Sequence, residues 1–322
     1  MKTLATLAML ALALPGYAHA ADKYPSKPVR VIVPYVAGGA ADITTRVIAQ
    51  KLSDRLGASF VVENKPGANG MIGTDFVAKA KPDGYTLLAD ASGPLVVNPS
   101  LYEKVPYDPV KDLAPVSQLT SYQYALVVPA ASPLRSLDDL VRAARAQPGK
   151  LSYGSAGIGA GGHLAGELLA LMSKTELTHV PYKGNAQALA DILGGQLSFT
   201  FDTIVTAVPH LRGGKLRAFA VSGPTRSPAL PDVPTMEELG YKGFHITQFQ
   251  GMLAPAGTDP AIVKVLNDAV GAAMREPDVV KRLAEEGGYE IVAGSPADFA
   301  RLIATELDMY RRLIQDAHIR MQ

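Results

Sequence analysis

Tyr153-Gly154-Ser155-Ala156-Gly157-Ile158-Gly159-Ala160-Gly161-Gly162-His163 is a run of small residues between a short strand pattern and an apolar helix pattern. With no bulky side chain in the turn, backbone N–H groups at the helix start are open to close approach, and the positive end of the helix dipole favours an anion there. Pro34-Tyr35-Val36-Ala37-Gly38-Gly39-Ala40-Ala41-Asp42, after the strand-like Val29 to Val33, repeats the arrangement. Two anion-friendly loops in separate parts of one chain predict a cleft with two walls.

Strand and helix patterns alternate outward from both loops. Val29 to Val33 precedes a helical pattern from Asp42 to Leu56 that Gly57 stops; Phe60 to Glu63 is the next strand, followed by the turn Pro66 to Gly70 and a helix ending near Ala80. Lys81-Pro82-Asp83-Gly84 is turn chemistry, and Thr86 to Ala89 reads as a strand after it. Ser136, Thr258 and Ser295 mark later helix starts, with Pro260 and Pro296 in the first turns, and Pro148-Gly149 ends the helix that Ser136 begins. Between Ala186 and Ser222 the order is helix, strand Leu197 to Phe201, helix to Arg212, strand Leu216 to Val221. This is the rhythm of an α/β fold with doubly wound sheets. Strand-like runs at Ala125 to Val128 and Arg217 to Val221 bracket an inner section. If both are crossovers, residues 122–223 form a second lobe inserted into a first lobe made of 21–121 and 224–322, with a ligand cleft at the strand carboxyl ends.

The first twenty residues read as an export signal. Lys2 supplies the positive start, Leu4 to Leu14 is apolar but too short to span a bilayer, and Ala18-His19-Ala20 fits small-x-small cleavage after Ala20. Removing Lys2 leaves 30 basic residues against 30 acidic ones, so the mature chain is near neutral and has no electrostatic footprint for nucleic acid or anionic lipid. The chain has no Cys, and its length and 48% hydrophobic content let a core stabilise it without disulfides. Five His remain after the signal, with no HExxH spacing, so neither a metal nor another cofactor is predicted.

Ordered segments along the mature chain resemble one family. They are Pro34-Tyr35-x-x-Gly38-Gly39-x-x-Asp42 with Arg46; Glu63-Asn64-Lys65-Pro66-Gly67-Ala68; Asp83-Gly84-Tyr85-Thr86-Leu87-Leu88; Asn98-Pro99-x-Leu101-Tyr102; and Pro106-Tyr107-Asp108-Pro109. They continue with His163 to Glu167, His179-Val180-Pro181-Tyr182-Lys183-Gly184, Phe201-Asp202, Gly214 to Ala218 and Leu230-Pro231-Asp232-Val233-Pro234-Thr235. The set resembles the periplasmic receptors of the tripartite tricarboxylate transporter system, the Bug family. That resemblance implies a two-lobed, type II-like periplasmic binding protein, a Venus flytrap that captures a small carboxylate and delivers it to integral membrane permease subunits. It also implies a ligand-binding set of Tyr35, Val36, Ala37, Gly38, Gly39, Asp42, Ser92, Gly93, Ser155, Gly157, Gly159, Asp202 and Thr203. A monomer is expected, with no catalytic residue.

Departures from the family pattern and rival readings complete the sequence picture. Phe249-Gln250 stands where many relatives carry a Trp just before the Gly, and Leu95-Val96 follows Gly93 as either pocket wall or core. Gly157-x-Gly159-x-x-Gly162 matches a dinucleotide fingerprint in its glycines, but the next strand, His179 to Tyr182, ends in no acid. Tyr153-Gly154-Ser155-Ala156-Gly157 resembles a hydrolase elbow without its first Gly, so an exported hydrolase is one alternative to a receptor. A ligand-presenting co-sensor for a sensor kinase is the other. Asp42 with Arg46 four residues on also reads as a helix-start pair, His163 as a packing or capping residue, and Lys183 as a solvated turn residue.

Overall fold

The computed structural model describes residues 24–182 and 184–320, so the signal segment and Lys183 lie outside the described residues. Short β-branched and apolar runs make the first three strands, β1 (Val29–Val33), β2 (Phe60–Asn64) and β3 (Thr86–Ala91). They are parallel, with β1 between the other two, which requires the crossover helices α1 (Ala40–Leu56) and α2 (Met71–Ala78). Gly57 ends α1 in the left-handed region at φ 71, its N–H returning to Ser53 O at 3.0 Å. After β3 a π-helical turn, Gly93–Val97, leads into α3 (Asn98–Leu101).

A single 17-residue strand, β4 (Leu113–Pro129), then runs through both halves of the molecule. Next come α4 (Leu137–Ala146), β5 (Ser152–Ser155), α5 (Gly161–Ser173), β6 (Thr178–Pro181), α6 (Asn185–Leu193), β7 (Phe199–Thr203), α7 (Ile204–Arg212) and β8 (Leu216–Val221). The chain closes with β9 (Thr247–Pro255), α8 (Pro260–Ala273), α9 (Pro277–Val280), β10 (Glu290–Ile291) and α10 (Pro296–Asp316). The strand order is β2-β1-β3-β9-β4-β7-β5-β6, with β8 and β10 also paired to β4. Residues 113–123 of β4 pair antiparallel with β9, whereas Tyr124 to Pro129 pair with β7 and β8. The change of strand partners is therefore inside β4, at Gln123–Tyr124.

The return crossing lies later than the expected 221–223. Val221 bridges Thr235, Met236 N–H donates to Val221 O at 3.0 Å, and Ile246 N–H donates to Ser222 O at 2.9 Å. Phe244 stacks on Phe201 of β7 at 5.7 Å. Residues 224–246 thus pack on the second lobe, and the chain re-enters the first lobe only at β9. This segment has turns and scattered apolar residues instead of a strand period, so its lobe was not readable locally.

Three cores result. Val31, Ile48, Leu52, Leu87 and Val270 pack the first lobe, Val127, Ile192, Ile204 and Val221 one side of the second. The third core joins Leu126, Phe199, Phe201 and Leu164 with Phe249 and the α10 residues Phe299 and Tyr310. Helix α10 touches both β4 and α5, so it braces the two lobes. The later helix starts are capped by side chains: Ser136 accepts from Asp139 N–H and Ser295 from Asp298 N–H. At α8 the cap is Asp259, accepting from Ala261 N–H at 2.8 Å, while the expected Thr258 bonds Pro255 O instead.

Candidate functional site

The carboxyl ends of β1, β3, β5 and β7 converge from the two lobes on one cavity of about 510 Å³. Its floor is Tyr122 and Tyr124 of β4 with Gln248 and Gln250 of β9, at the crossing between lobes. Sequence reading missed these four. They carry no local motif, and only strand alternation on two central strands would bring them to one face. Among the described residues, none lining the cavity bears a formal charge. A larger groove, about 880 Å³, lies at the amino ends of β1 and β3, beside Arg30, Phe76 and Lys79.

Helix starts around the cavity differ from those elsewhere. Among described helices of eight or more residues, α1, α2, α5, α6 and α7 have no side-chain hydrogen bond at the N-cap, whereas α4, α8 and α10 do. Each uncapped helix contributes a bordering residue at or just before its start: Ala40, Asn69, Ala160, Asn185 and Thr203. Backbone donors that a Ser or Asp satisfies on the outer helices are thus left to whatever occupies the cleft.

The loop after β1 is held from below. Asp42 is 2% exposed; its Oδ2 accepts from Gly38 N–H at 2.9 Å and Arg46 Nε at 3.0 Å, and its Oδ1 from Asn64 Nδ2 at 2.9 Å. Asn64 Nδ2 also donates to Tyr35 O. Arg46, helped by the Gly38 and Asn64 bonds, holds the Asp42 carboxyl at about 2. The helix-start pairing expected of Asp42 and Arg46 is present, and Asp42 faces the loop's underside, away from the lining. Tyr35 donates to Asp90 Oδ1 at 3.1 Å, and Thr74 Oγ1 donates to Oδ2 at 2.7 Å. Burial pushes Asp90 up to about 7. Asp90 was not predicted; its signal is an acid at the end of an otherwise apolar strand, Leu87 to Ala91.

The loop after β5 is pinned similarly. Ser155 Oγ lies 2.7 Å from His179 Nε2 and accepts from Gly157 N–H at 3.2 Å. His163 Nδ1 accepts from Gly159 N–H at 3.1 Å, and the rings of His163 and His179 stack at 4.0 Å. Burial, with His179 adding to it, lowers His163 to about 3, and burial lowers His179 to about 4, so both imidazoles are neutral at ordinary pH. The Ser155–His179 contact has the reach of a nucleophile–base pair, yet Ser155 is 2% exposed and does not border the cavity. It fixes the turn, as His163 does by accepting from Gly159. The glycines of the fingerprint-like run serve packing: a Cβ on Gly161 would strike the Tyr124 ring, and one on Gly162 would lie 2.6 Å from Phe201 O.

Of the thirteen residues singled out from sequence, Tyr35, Val36, Gly39, Gly93, Gly159 and Thr203 border the cavity. Ala37, Gly38, Asp42, Ser92, Ser155, Gly157 and Asp202 do not. Ser92 is fully buried and accepts from Phe249 N–H at 2.8 Å, tying β3 to β9. Asp202 accepts from Thr206 Oγ1 at 2.7 Å and is pushed up to about 6 by burial. Leu95 and Val96, left open as wall or core, are fully buried core residues.

A family model described as tripartite tricarboxylate transporter family receptor matches residues 44–319. The chain belongs to that receptor family. These are solute-binding receptors and not enzymes, which removes the hydrolase alternative. Among the receptor's relatives, BugT of Bordetella pertussis is 37% identical over 303 residues, covering 94% of this chain and 93% of BugT. An R. palustris protein solved with adipate is 35% identical, with a TM-score of 0.77 over 92% of this chain and 99% of that one. MatC from Rhodopseudomonas palustris, solved with bound malate, is 33% identical, with a TM-score of 0.74 over 90% of this chain and all of MatC. The two-lobed binding-protein fold of this receptor is shared with these structures.

Proposed function

We propose that this receptor works in the periplasm, after loss of residues 1–20, and captures a small carboxylate in the cleft for delivery to integral membrane permease subunits. The observation that carries the reading is the distribution of helix caps: the helices whose starts border the cavity are the ones left without a side-chain acceptor. Oriented N–H groups from both lobes, with Thr203 and the floor tyrosines, stabilise an anion. Relatives solved with adipate and malate support a carboxylate. The ligand class spans dicarboxylates, acidic amino acids and aromatic acids.

Thermal-shift titration tests this directly. A ligand that binds only the folded state stabilises it by RT ln(1 + [L]/Kd), about 2.7 kcal/mol at one hundred times Kd. Carboxylic acids are expected to raise the unfolding midpoint in proportion to the logarithm of concentration. A response confined to sugars or cations rules the reading out.

A further inference from the structure

We propose that the ligand carries a hydrogen-bond donor, a hydroxyl or an amino group, besides its carboxylate, and that Gln250 selects for it; this rests on the cleft being the carboxylate site. Strand register sets Gln250 of β9 between Ala91 of β3 and Thr120 of β4, at the carboxyl end of the first-lobe sheet. Side chains two apart on a strand share a face, so Gln248 and Gln250 lie together, and both border the cavity.

Gln250 is 4% exposed, and its Oε1 is buried with no hydrogen-bond partner. Thr120, across the strand pair, does not fill the gap, because its Oγ1 is also without a partner. Gln248 is placed differently, its Nε2 donating to Tyr310 at 3.4 Å.

An acceptor that no protein group satisfies, on a residue bordering the cleft, is a place where a ligand can supply a hydrogen bond. Such a site discriminates against an analogue lacking the donor, because the acceptor then stays unpaired under a ligand that excludes water. A neutral amide also accepts without repelling the carboxylate bound beside it, as an Asp or Glu at this position would.

Calorimetric titration of the full mature chain with matched acids tests the assignment: succinate against malate, succinate against aspartate, and 3-phenylpropionate against 3-phenyllactate. In pairs that bind, the donor-bearing acid is expected to bind about tenfold or more tightly. Gln250→Met, similar in length and lacking the acceptor, is expected to bring that ratio near one. Equal affinities within the binding pairs of the wild-type protein overturn the proposal whether or not the variant folds, and so does a ratio that survives in Gln250→Met. If no acid of the panel binds, the reading of the cleft itself fails, a result distinct from equal binding.

Discussion

Gly39 and Gly93 border the cavity without any conformational need to be glycine. Gly39 has φ −77, its added Cβ would meet only Val36 O at 3.5 Å, and that of Gly93 only the Tyr35 hydroxyl at 4.0 Å. Gly39→Val and Gly93→Val are therefore expected to unfold at the wild-type midpoint while carboxylate affinity drops at least about tenfold, about 1.4 kcal/mol. Wild-type affinity in both would place the ligand elsewhere. Gly159 is different: at φ 79, with Leu101 only 2.5 Å from an added Cβ, its substitution strains the fold before it touches a ligand. Gly271→Ala inside α8, where only the flexible Arg275 tip is near, is the control. Glu306 supplies a pH prediction. Burial against β9 pushes it up to about 8 from 4.5, with Thr247 Oγ1 donating at 3.3 Å. Between those values the folded state holds a proton that the unfolded chain has lost, so this carboxyl makes stability fall as pH rises from about 4.5 to 8. Glu306→Gln is expected to flatten that slope in urea unfolding, gaining most at pH 8. An unchanged slope shows that Glu306 ionises freely in the fold.

At the scale of elements, the fold separates helices that close their own ends from helices that leave them open. Ala160 occupies the N-cap of α5 at φ −66 and ψ 152, the extended conformation that a capping side chain requires. Ala160→Asp is expected to stabilise the ligand-free protein by about 0.5–2 kcal/mol through the new cap and the helix dipole. The same carboxylate would occupy the donors and repel a ligand anion, so affinity should fall more than about tenfold. Paired denaturation and calorimetry check both arms; a stabilised variant with undiminished binding would mean that α5 takes no part in recognition. The trade explains why Ser136, Asp259 and Ser295 cap the outer helices while the cleft helices begin at Gly39, Gly70, Ala160, Gly184 and Thr203.

For the whole molecule, two strand crossings and the brace of α10 join lobes whose facing ends form the cavity. Hinge closure of this kind is established for periplasmic binding proteins as a class. X-ray scattering is expected to show a smaller radius of gyration with saturating carboxylate, the changed dihedrals falling at Gln123–Tyr124 and Ile246–Thr247. An unchanged radius at demonstrated saturation removes closure from the account. The sequence by itself determined the strands and helices, the two small-residue loops and the capped starts at Ser136 and Ser295, because each depends on side-chain period or turn chemistry within a few neighbouring residues. It also determined the family, through ordered motifs spread along the chain. Only the tertiary structure decided that 224–246 belongs with the second lobe, that Asp42, Ser92 and Ser155 brace the loops from beneath, and that Tyr122, Tyr124, Gln248 and Gln250 make the floor. Those outcomes depend on strand register and on which face packs against which, and contacts between residues more than a hundred apart, such as Ser92 with Phe249, leave no local pattern to read.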